Sequence, residues 1–203
     1  MMNRQLFINC PFSIDYEEFF NAMVFTTIHC GFVPRCAKEV DDGSQVRFDK
    51  ICAIIKQCRL GIHDISKTEL DSHSGLPRFN MPLELGLFLA SKKFGDNEQR
   101  KKKCMVFDRE QYRYTAFISD ISGQDIHSHG GDPSVLIRKI AAWLGDEFHD
   151  NRIPGGDYIL SEFDVFKRQL PEICAEFKRT SFELTFQSYR KIAEKWIVSR
   201  AST

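Results

Sequence analysis

The chain has 203 residues, of which 42% are hydrophobic, enough for a buried core in one main domain with an appendage. Basic and acidic side chains number 28 each, so no overall field favours a polyanion, and nucleic acid is not an expected partner. No apolar run fits a signal peptide or membrane span, and the odd number of cysteines, seven, without CxxC pairs, predicts a soluble cytoplasmic protein.

The first strand–helix unit lies near the N-terminus. The apolar run Leu6–Ile8 predicts a strand that ends before Pro11, because proline cannot continue a central strand. A helix is expected next and should extend to His29. Asp15 and Glu18 have the spacing of a capping box at its start.

The same alternation continues along the chain. The stretch "FVPRCA" predicts a second strand near a sheet edge, because Pro34 cannot donate a ladder hydrogen bond. Helical periodicity from Val46 to Ile55 follows, and then a third strand at Leu60–Ile65. A polar loop, Lys67–Gly75, leads to a helix within Phe79–Gly95.

Later segments complete the predicted sheet. A fourth strand is expected at Cys104–Phe107 and a fifth near Asp125–Ile126. Asp132 is then placed to cap a helix that extends to Leu144. Alternating strands and helices favour a parallel sheet, since parallel neighbours need crossover connections. We therefore predict a doubly wound, flavodoxin-like α/β fold with about five mostly parallel strands.

The C-terminal part predicts a helical extension. We place the α/β domain at 1–145 and the extension at 146–203, with the boundary between Gly145 and Gly156. Two amphipathic helices are expected, Tyr158–Phe177, kinked or broken at Pro171, and Ser181–Val198. Their apolar faces must be covered by the main domain or another subunit. The side chains expected to be buried are Phe186, Ile192 and Trp196.

Candidate binding residues follow from the fold. In open parallel sheets, ligands bind beyond the carboxyl ends of the strands, where the strand order reverses. This rule selects the residues that follow the first three strands and those that start the next helix. The substrate-binding candidates are Asn9, Cys10, Pro11, Phe12, Arg35, Asp64, Ser66 and Asn80.

Several candidates have an alternative structural role. Asp64 either binds ribose hydroxyls or caps its loop together with Ser66. Arg35 either meets phosphate or is a surface residue, and Phe12 either stacks on a base or belongs to the core. Cys10 and His63 could form a thiol–histidine pair, but the sequence shows no third group that would orient the histidine. This argues against Cys10 as a nucleophile.

Glu84 is the candidate catalytic residue. It is the one carboxylate in the apolar segment "FNMPLELGLFLASKKFG", and an unpaired buried carboxylate is costly. If Pro82 is the first helical residue, Glu84 is the third and could stabilise the helix start. Met81 has no side-chain oxygen to complete that capping box. Helix capping and catalysis therefore both remain open for Glu84.

Two motifs resemble known families. The pattern Asn80-x-x-x-Glu84-Leu85-Gly86 resembles a segment of TIR-like (Toll/interleukin-1 receptor-like) nucleotide-binding domains. The Pro11-Phe12 pair after the first strand is similar to that of the related nucleoside 2-deoxyribosyltransferase group. Together the matches span Leu6 to Phe107.

The resemblance implies a function. In these families the corresponding glutamate acts at the anomeric carbon of a ribosyl group, a role that falls on Glu84 here. The stretch "LPRFNMPLE" lacks the aspartate and Gly-Thr of the deoxyribosyltransferases, which favours a larger nucleotide such as NAD. We expect an intracellular nucleotide N-glycosidase without metal or cofactor, forming homo-oligomers and serving in bacterial antiviral defence. The alternatives are a non-catalytic nucleotide-sensing module and an oligomerising scaffold.

Three other stretches contain polar or charged side chains to which no individual functional role is assigned. "HSHGGD", with His127 and His129, is expected to be a solvated loop rather than a metal site. The basic run Arg100–Lys103 is expected to be an exposed turn. The segment Gln111–Ile126 follows the fourth strand on the side of the expected crevice, where loops commonly carry specificity.

Overall fold

The computed structural model of the chain describes residues 4–39, 42–70, 75–148 and 152–201. The expected loop Lys67–Gly75 lies partly outside these residues. The strands are β1 (Gln5–Asn9), β2 (Val33–Cys36), β3 (Leu60–Asp64), β4 (Lys103–Asp108) and β5 (Ile126–Ser128). The helices are α1 (Glu17–His29), α2 (Arg47–Gln57), α3 (Asn80–Phe94), α4 (Pro133–Phe148), α5 (Gly156–Glu176) and α6 (Phe186–Ala201).

The five strands form one parallel sheet in the order β2-β1-β3-β4-β5. Helices lie on both sides of it, so the predicted doubly wound α/β fold is confirmed. β2 is an edge strand, as Pro34 indicated. The order of addition reverses between β1 and β3, which makes the carboxyl ends of these two strands the expected ligand site.

The two faces of the sheet bury different cores. Leu6 and Ile8 of β1 face a large core that includes residues of α1, α4, α5 and α6. Phe7, between them in sequence, faces the opposite side and belongs to a smaller core with Ile54 and Phe88. This alternation is the period of two expected of a strand covered on both faces.

The C-terminal helices share the core of the sheet. The ring of Phe25 in α1 lies 5.2 Å from that of Phe166 in α5 and 5.8 Å from that of Trp196 in α6. Pro171 does not end α5, which continues to Glu176. The region expected to hold the boundary, Gly145 to Gly156, includes the end of α4 at Phe148 and the start of α5 at Gly156. Of the side chains expected to be buried, Phe186 and Trp196 are buried and Ile192 is half-buried.

The capping box expected at Asp15 and Glu18 is wrong. A short 3-10 turn spans Ile14–Tyr16, α1 begins only at Glu17, and its N-cap residue makes no side-chain capping bond. The Asp15 carboxylate instead accepts a hydrogen bond from Lys67 Nζ at 2.6 Å. A long-range ion pair therefore replaces the expected local motif.

The basic run before β4 is not wholly exposed. Lys102 is buried, its Nζ donates to the carbonyl oxygens of Ile55, at 2.5 Å, and Cys58, and it lies 4.7 Å from the centre of the Phe88 ring. Burial lowers the pKa of Lys102 to about 8. Its ammonium group satisfies carbonyl groups at the end of α2, as a basic side chain commonly does at a helix C-terminus.

Within the described residues, no helix combines the length and apolar character needed to cross a membrane.

Truncation of α6 side chains tests whether this helix is part of the core. Trp196 is 7% exposed, whereas Val198, two residues later, is 66% exposed. We expect Trp196→Ala to lower the unfolding free energy by about 3–5 kcal/mol, because a large cavity forms against α1 and α5. Val198→Ala should change it by less than ~0.5 kcal/mol. Chemical denaturation measures both, and equal effects of the two substitutions would contradict the packing described.

Candidate functional site

A pocket lies where β1 and β3 end, at the reversal of strand order. Its volume is about 440 Å³, within the range of small-molecule sites. Segments after β1 and β3 and the first turns of α2 and α3 form its walls. The residues predicted from sequence that line it are Asn9, Cys10, Pro11, Phe12, Asn80 and Glu84. Arg35, Asp64 and Ser66 do not line it.

Glu84 is buried in the wall of this pocket, and no residue that the structure describes pairs with its carboxylate. Its side chain is 7% exposed, and no hydrogen bond or ion pair reaches its carboxylate from the part of the chain that the structure describes. Burial raises the pKa of Glu84 to about 7, although the nearby charge of Arg47 acts in the opposite direction. The group therefore changes between acid and carboxylate near neutral pH.

The capping role considered for Glu84 does not fit α3. The helix starts at Asn80 rather than at Pro82, so Glu84 is its fifth residue and the first turn holds no acidic side chain. The exposed amide groups of a helix belong to its first turn, and the dipole effect declines beyond it. Glu84 is therefore too far along α3 for the stabilisation of the helix start that was considered from sequence.

Asn9 connects β1 to β3 and to α3. Its side-chain nitrogen donates to His63 Nδ1 at 3.0 Å and to the Met81 carbonyl oxygen at 2.8 Å. The carbonyl can only accept, which fixes the orientation of the Asn9 amide. Although Asn9 also lines the pocket, its side-chain nitrogen is used by these two bonds within the protein rather than by a ligand.

The pocket wall is rich in positive charge. Arg47, Lys67 and Arg78 line it together with the acidic Glu69. Lys67 is paired with Asp15, across the segments that follow β3 and β1. The N-termini of α2 and α3 also open onto the pocket, and helix N-termini favour anions. The surroundings of Glu84 therefore suit an anionic ligand.

Cys10 is unsuited to nucleophilic catalysis. Burial raises the pKa of its thiol well above its ordinary value, and the charge of Asp64 adds to this effect. His63 cannot act as its base, because burial, aided by the charge of Lys102, lowers the pKa of that imidazole to about 3, and its Nδ1 is occupied by Asn9. All seven cysteines of the chain are free.

Asp64 and Ser66 form a turn at the end of β3. Asp64 is fully buried, and its Oδ1 accepts a hydrogen bond from the Ser66 backbone N–H at 2.8 Å. This is the loop-capping alternative for Asp64. Its Oδ2 lies 3.3 Å from Nε2 of His129, a residue that is buried rather than part of a solvated loop. His129 Nδ1 accepts from the Gly131 N–H, which places the ring proton on Nε2, facing Asp64.

Arg35 lies outside the site. Its guanidinium forms a two-bond contact with the Glu39 carboxylate, with Nε to Oε2 at 2.6 Å, and also donates to Gln5 and Gln57. These partners lie on β1, on α2 and in the segment after β2, next to the edge strand β2. Arg35 therefore connects the edge strand β2 to β1 and α2, and it is not among the residues that line the pocket.

Arg113 gives the segment after β4 a structural role that its sequence did not reveal. Its guanidinium donates to Asp108 Oδ1, with Nε at 2.9 Å, to Thr68 Oγ1 at 3.0 Å and to the Ser66 carbonyl oxygen. Burial raises the pKa of Asp108, although the Arg113 contact opposes the shift. These hydrogen bonds connect the loop after β4 to the loop after β3, and the loop after β3 forms one wall of the pocket.

A second cavity adjoins the first. It has a volume of about 590 Å³, lies between α1, α5 and α6, and shares the 11–13 segment with the Glu84 pocket. Its charged side chains include Glu18 and Lys167, which pair with each other at 2.7 Å. We assign the candidate site to the Glu84 pocket, because that pocket holds a buried ionisable group without a described partner.

Comparison of the sequence with models of known protein families found no match, and a search of curated proteins found none either.

The stability of Glu84→Gln should depend on pH. The folded-state pKa of Glu84, about 7, lies above its ordinary value of 4.5, so the native state holds an extra proton between these two pH values. The free energy of unfolding therefore falls as pH rises from 4.5 to about 7, and the loss is complete above 7. Glutamine has no such loss. The variant should therefore gain stability over wild type between pH 5 and pH 8 by up to about 3 kcal/mol.

Denaturant unfolding at several pH values measures this difference. Glu98→Gln, in which an exposed carboxylate is replaced, is the matched control and should show little pH-dependent difference. A Glu84→Gln variant that is less stable than wild type at every pH would instead indicate a stabilising role of the carboxylate.

Proposed function

We propose that the protein is a nucleotide N-glycosidase that cleaves the N-ribosyl bond of NAD or a related nucleotide in the Glu84 pocket. The observation that carries the proposal is the buried Glu84 carboxyl group, without a described partner and with a pKa of about 7, at the reversal of strand order. Such perturbed groups in pockets are concentrated at functional sites.

The chemistry matches a single poised carboxylate. As the N-glycosidic bond breaks, its electron pair leaves with the base and positive charge develops at the anomeric carbon. The nicotinamide of NAD carries a positive charge on its ring nitrogen, so it departs neutral and needs no proton. The Glu84 carboxylate stabilises or traps the ribosyl cation, and water then supplies the hydroxyl group and releases a proton.

The remaining pocket wall supports a phosphorylated nucleoside as the substrate. Arg47, Lys67 and Arg78 offer positive charge to phosphate groups, as do the N-termini of α2 and α3. Phe12 lines the same pocket and offers an aromatic ring on which the base of a nucleotide can stack. The resemblance of the segment from Asn80 to Gly86 to TIR-like domains points to the same chemistry.

The resemblance alone supports the wider biological part of the proposal. This part comprises activity in homo-oligomers and a role in bacterial antiviral defence, whereas the proposed intracellular location rests on the cysteine pattern of the sequence.

Base release tests the proposed reaction. Purified protein is incubated with NAD and a panel of nucleosides and nucleotides, and the free base is quantified by chromatography. We expect release from NAD or a related nucleotide, and at least a ~100-fold lower rate for Glu84→Gln, because the charge opposite the developing cation is lost. Glu98→Gln should retain the wild-type rate.

Two results would contradict the proposal in different ways. Normal turnover by Glu84→Gln would show that another group supports the reaction. Tight nucleotide binding without turnover in either protein would identify a nucleotide-sensing module instead.

The pH dependence should report the ionisation of Glu84. If the carboxylate form is active, kcat/KM should rise with pH and level off above an apparent pKa of about 7, the value that burial gives this group. Measurement from pH 5.5 to 8.5 is sufficient. A rate that falls as pH rises through 7 would instead assign Glu84 the role of a proton donor.

A further inference from the structure

We propose that Asn9 and His63 act as a positioning pair that fixes the first turn of α3 and thereby the Glu84 carboxylate. Asn9 and His63 lie opposite each other in the β1–β3 ladder. The Asn9 nitrogen bonds both to His63 and to the Met81 carbonyl oxygen, so one side chain joins two strands to one helix. The catalytic consequence rests on the proposed function, whereas the geometric consequence does not.

His63 is a rigid acceptor for Asn9. Its ring is fully buried and lies edge-on to the rings of Phe88, at 4.9 Å, and Phe7, at 5.9 Å. Gly61 leaves the space for it, since a Cβ there would come within 2.7 Å of His63 Nε2. Because burial holds the imidazole neutral, Nδ1 remains an acceptor at physiological pH.

The Met81 carbonyl transmits this constraint to Glu84. Met81 is the second residue of α3 and Glu84 the fifth, so they are neighbours three positions apart on one helix face. Met81 is itself buried against Ile65 and Leu85. A hydrogen bond from the sheet to this carbonyl therefore sets both the position of the helix start and the depth of the carboxylate below the pocket surface.

Removal of the pair should move Glu84 and expose it. Asn9→Leu deletes both hydrogen bonds at similar volume, so the first turn of α3 is free to shift and water gains access to the carboxylate. A displacement of ~1 Å at a reacting group can lower a rate by ~100-fold. Weaker burial also lowers the pKa of a carboxyl group toward its ordinary value.

The experiment follows the Glu84 pKa and the kinetics together. Protein labelled with ¹³C at glutamate carboxyl groups is titrated by NMR, and the Glu84 signal is assigned by its absence in Glu84→Gln. In Asn9→Leu we expect the Glu84 pKa to fall by ~1 unit and kcat for base release by at least ~10-fold, with a smaller change in KM. His63→Leu, which keeps the Met81 bond, should change both in the same direction but less.

Thr27→Val is the matched control. It removes another buried side-chain bond to a carbonyl oxygen, from Thr27 Oγ1 to Met23 at 2.7 Å in α1, an element that does not line the Glu84 pocket. It should leave the Glu84 pKa and kcat unchanged even if stability falls. If Asn9→Leu does not fold, His63→Leu decides.

Each remaining outcome is decisive. An unchanged Glu84 pKa and unchanged kcat in a folded Asn9→Leu or His63→Leu variant would overturn the proposal, as would an ordinary pKa of Glu84 in wild type. If wild type releases no base from any nucleotide, the proposed function fails, and the NMR titration alone still tests the positioning pair.

Discussion

The parallel pairing of β1 with β3 determines where the rest of the site lies. These strands are adjacent although β2 separates them in sequence, and their register sets Asn9 beside His63. At this point the connections leave toward opposite faces of the sheet, which opens a crevice at the carboxyl ends. The start of α3 is then held against β1 by the bond from Asn9 to Met81. The pocket and the position of Glu84 both follow from this pairing.

The site combines hydrogen-bonded, buried side chains with one carboxyl group, that of Glu84, whose ionisation the fold disfavours. The side chains at the carboxyl ends of β1 and β3, such as Asn9 and Asp64, are buried and hydrogen-bonded. Glu84, in contrast, is buried without a described partner, and its raised pKa means that the folded state resists its ionisation. Such a group lowers stability above neutral pH, and rigid neighbours are needed to prevent it from relaxing toward water. This contrast is expected of a group held for chemistry rather than for folding.

The sequence was sufficient for the fold and for the centre of the candidate site, because both depend on local periodicity and a general rule of parallel sheets. Strand–helix alternation predicted the sheet, and Pro34 predicted its edge strand. The apolar context of Glu84 identified the unusual carboxylate. The start of α3 was placed two residues late, because no local capping side chain marks it; its first turn is bound instead through the Met81 carbonyl oxygen by a residue 72 positions away.

The other differences also have long-range causes. Arg35 is bound by Gln5 and Gln57, 30 and 22 positions away, as well as by the neighbouring Glu39, so its sequence neighbourhood showed only part of its contacts. Lys102 and His129 belong to polar sequence stretches, yet their partners, carbonyl groups at the end of α2 and the Asp64 carboxylate, come from distant elements. Local pattern cannot distinguish a solvated charge from one buried with such partners.

A crystal structure of Glu84→Gln with NAD, or with whichever nucleotide the wild type cleaves, tests the central claim most directly. This substitution preserves the shape of the pocket and slows cleavage of the ligand. We expect phosphate groups near Arg47 and Arg78 and the anomeric carbon within about 3.5 Å of the substituted side chain, the separation of a near-attack geometry. A nucleotide bound with its anomeric carbon far from that side chain, or in the cavity between α1, α5 and α6, would contradict it.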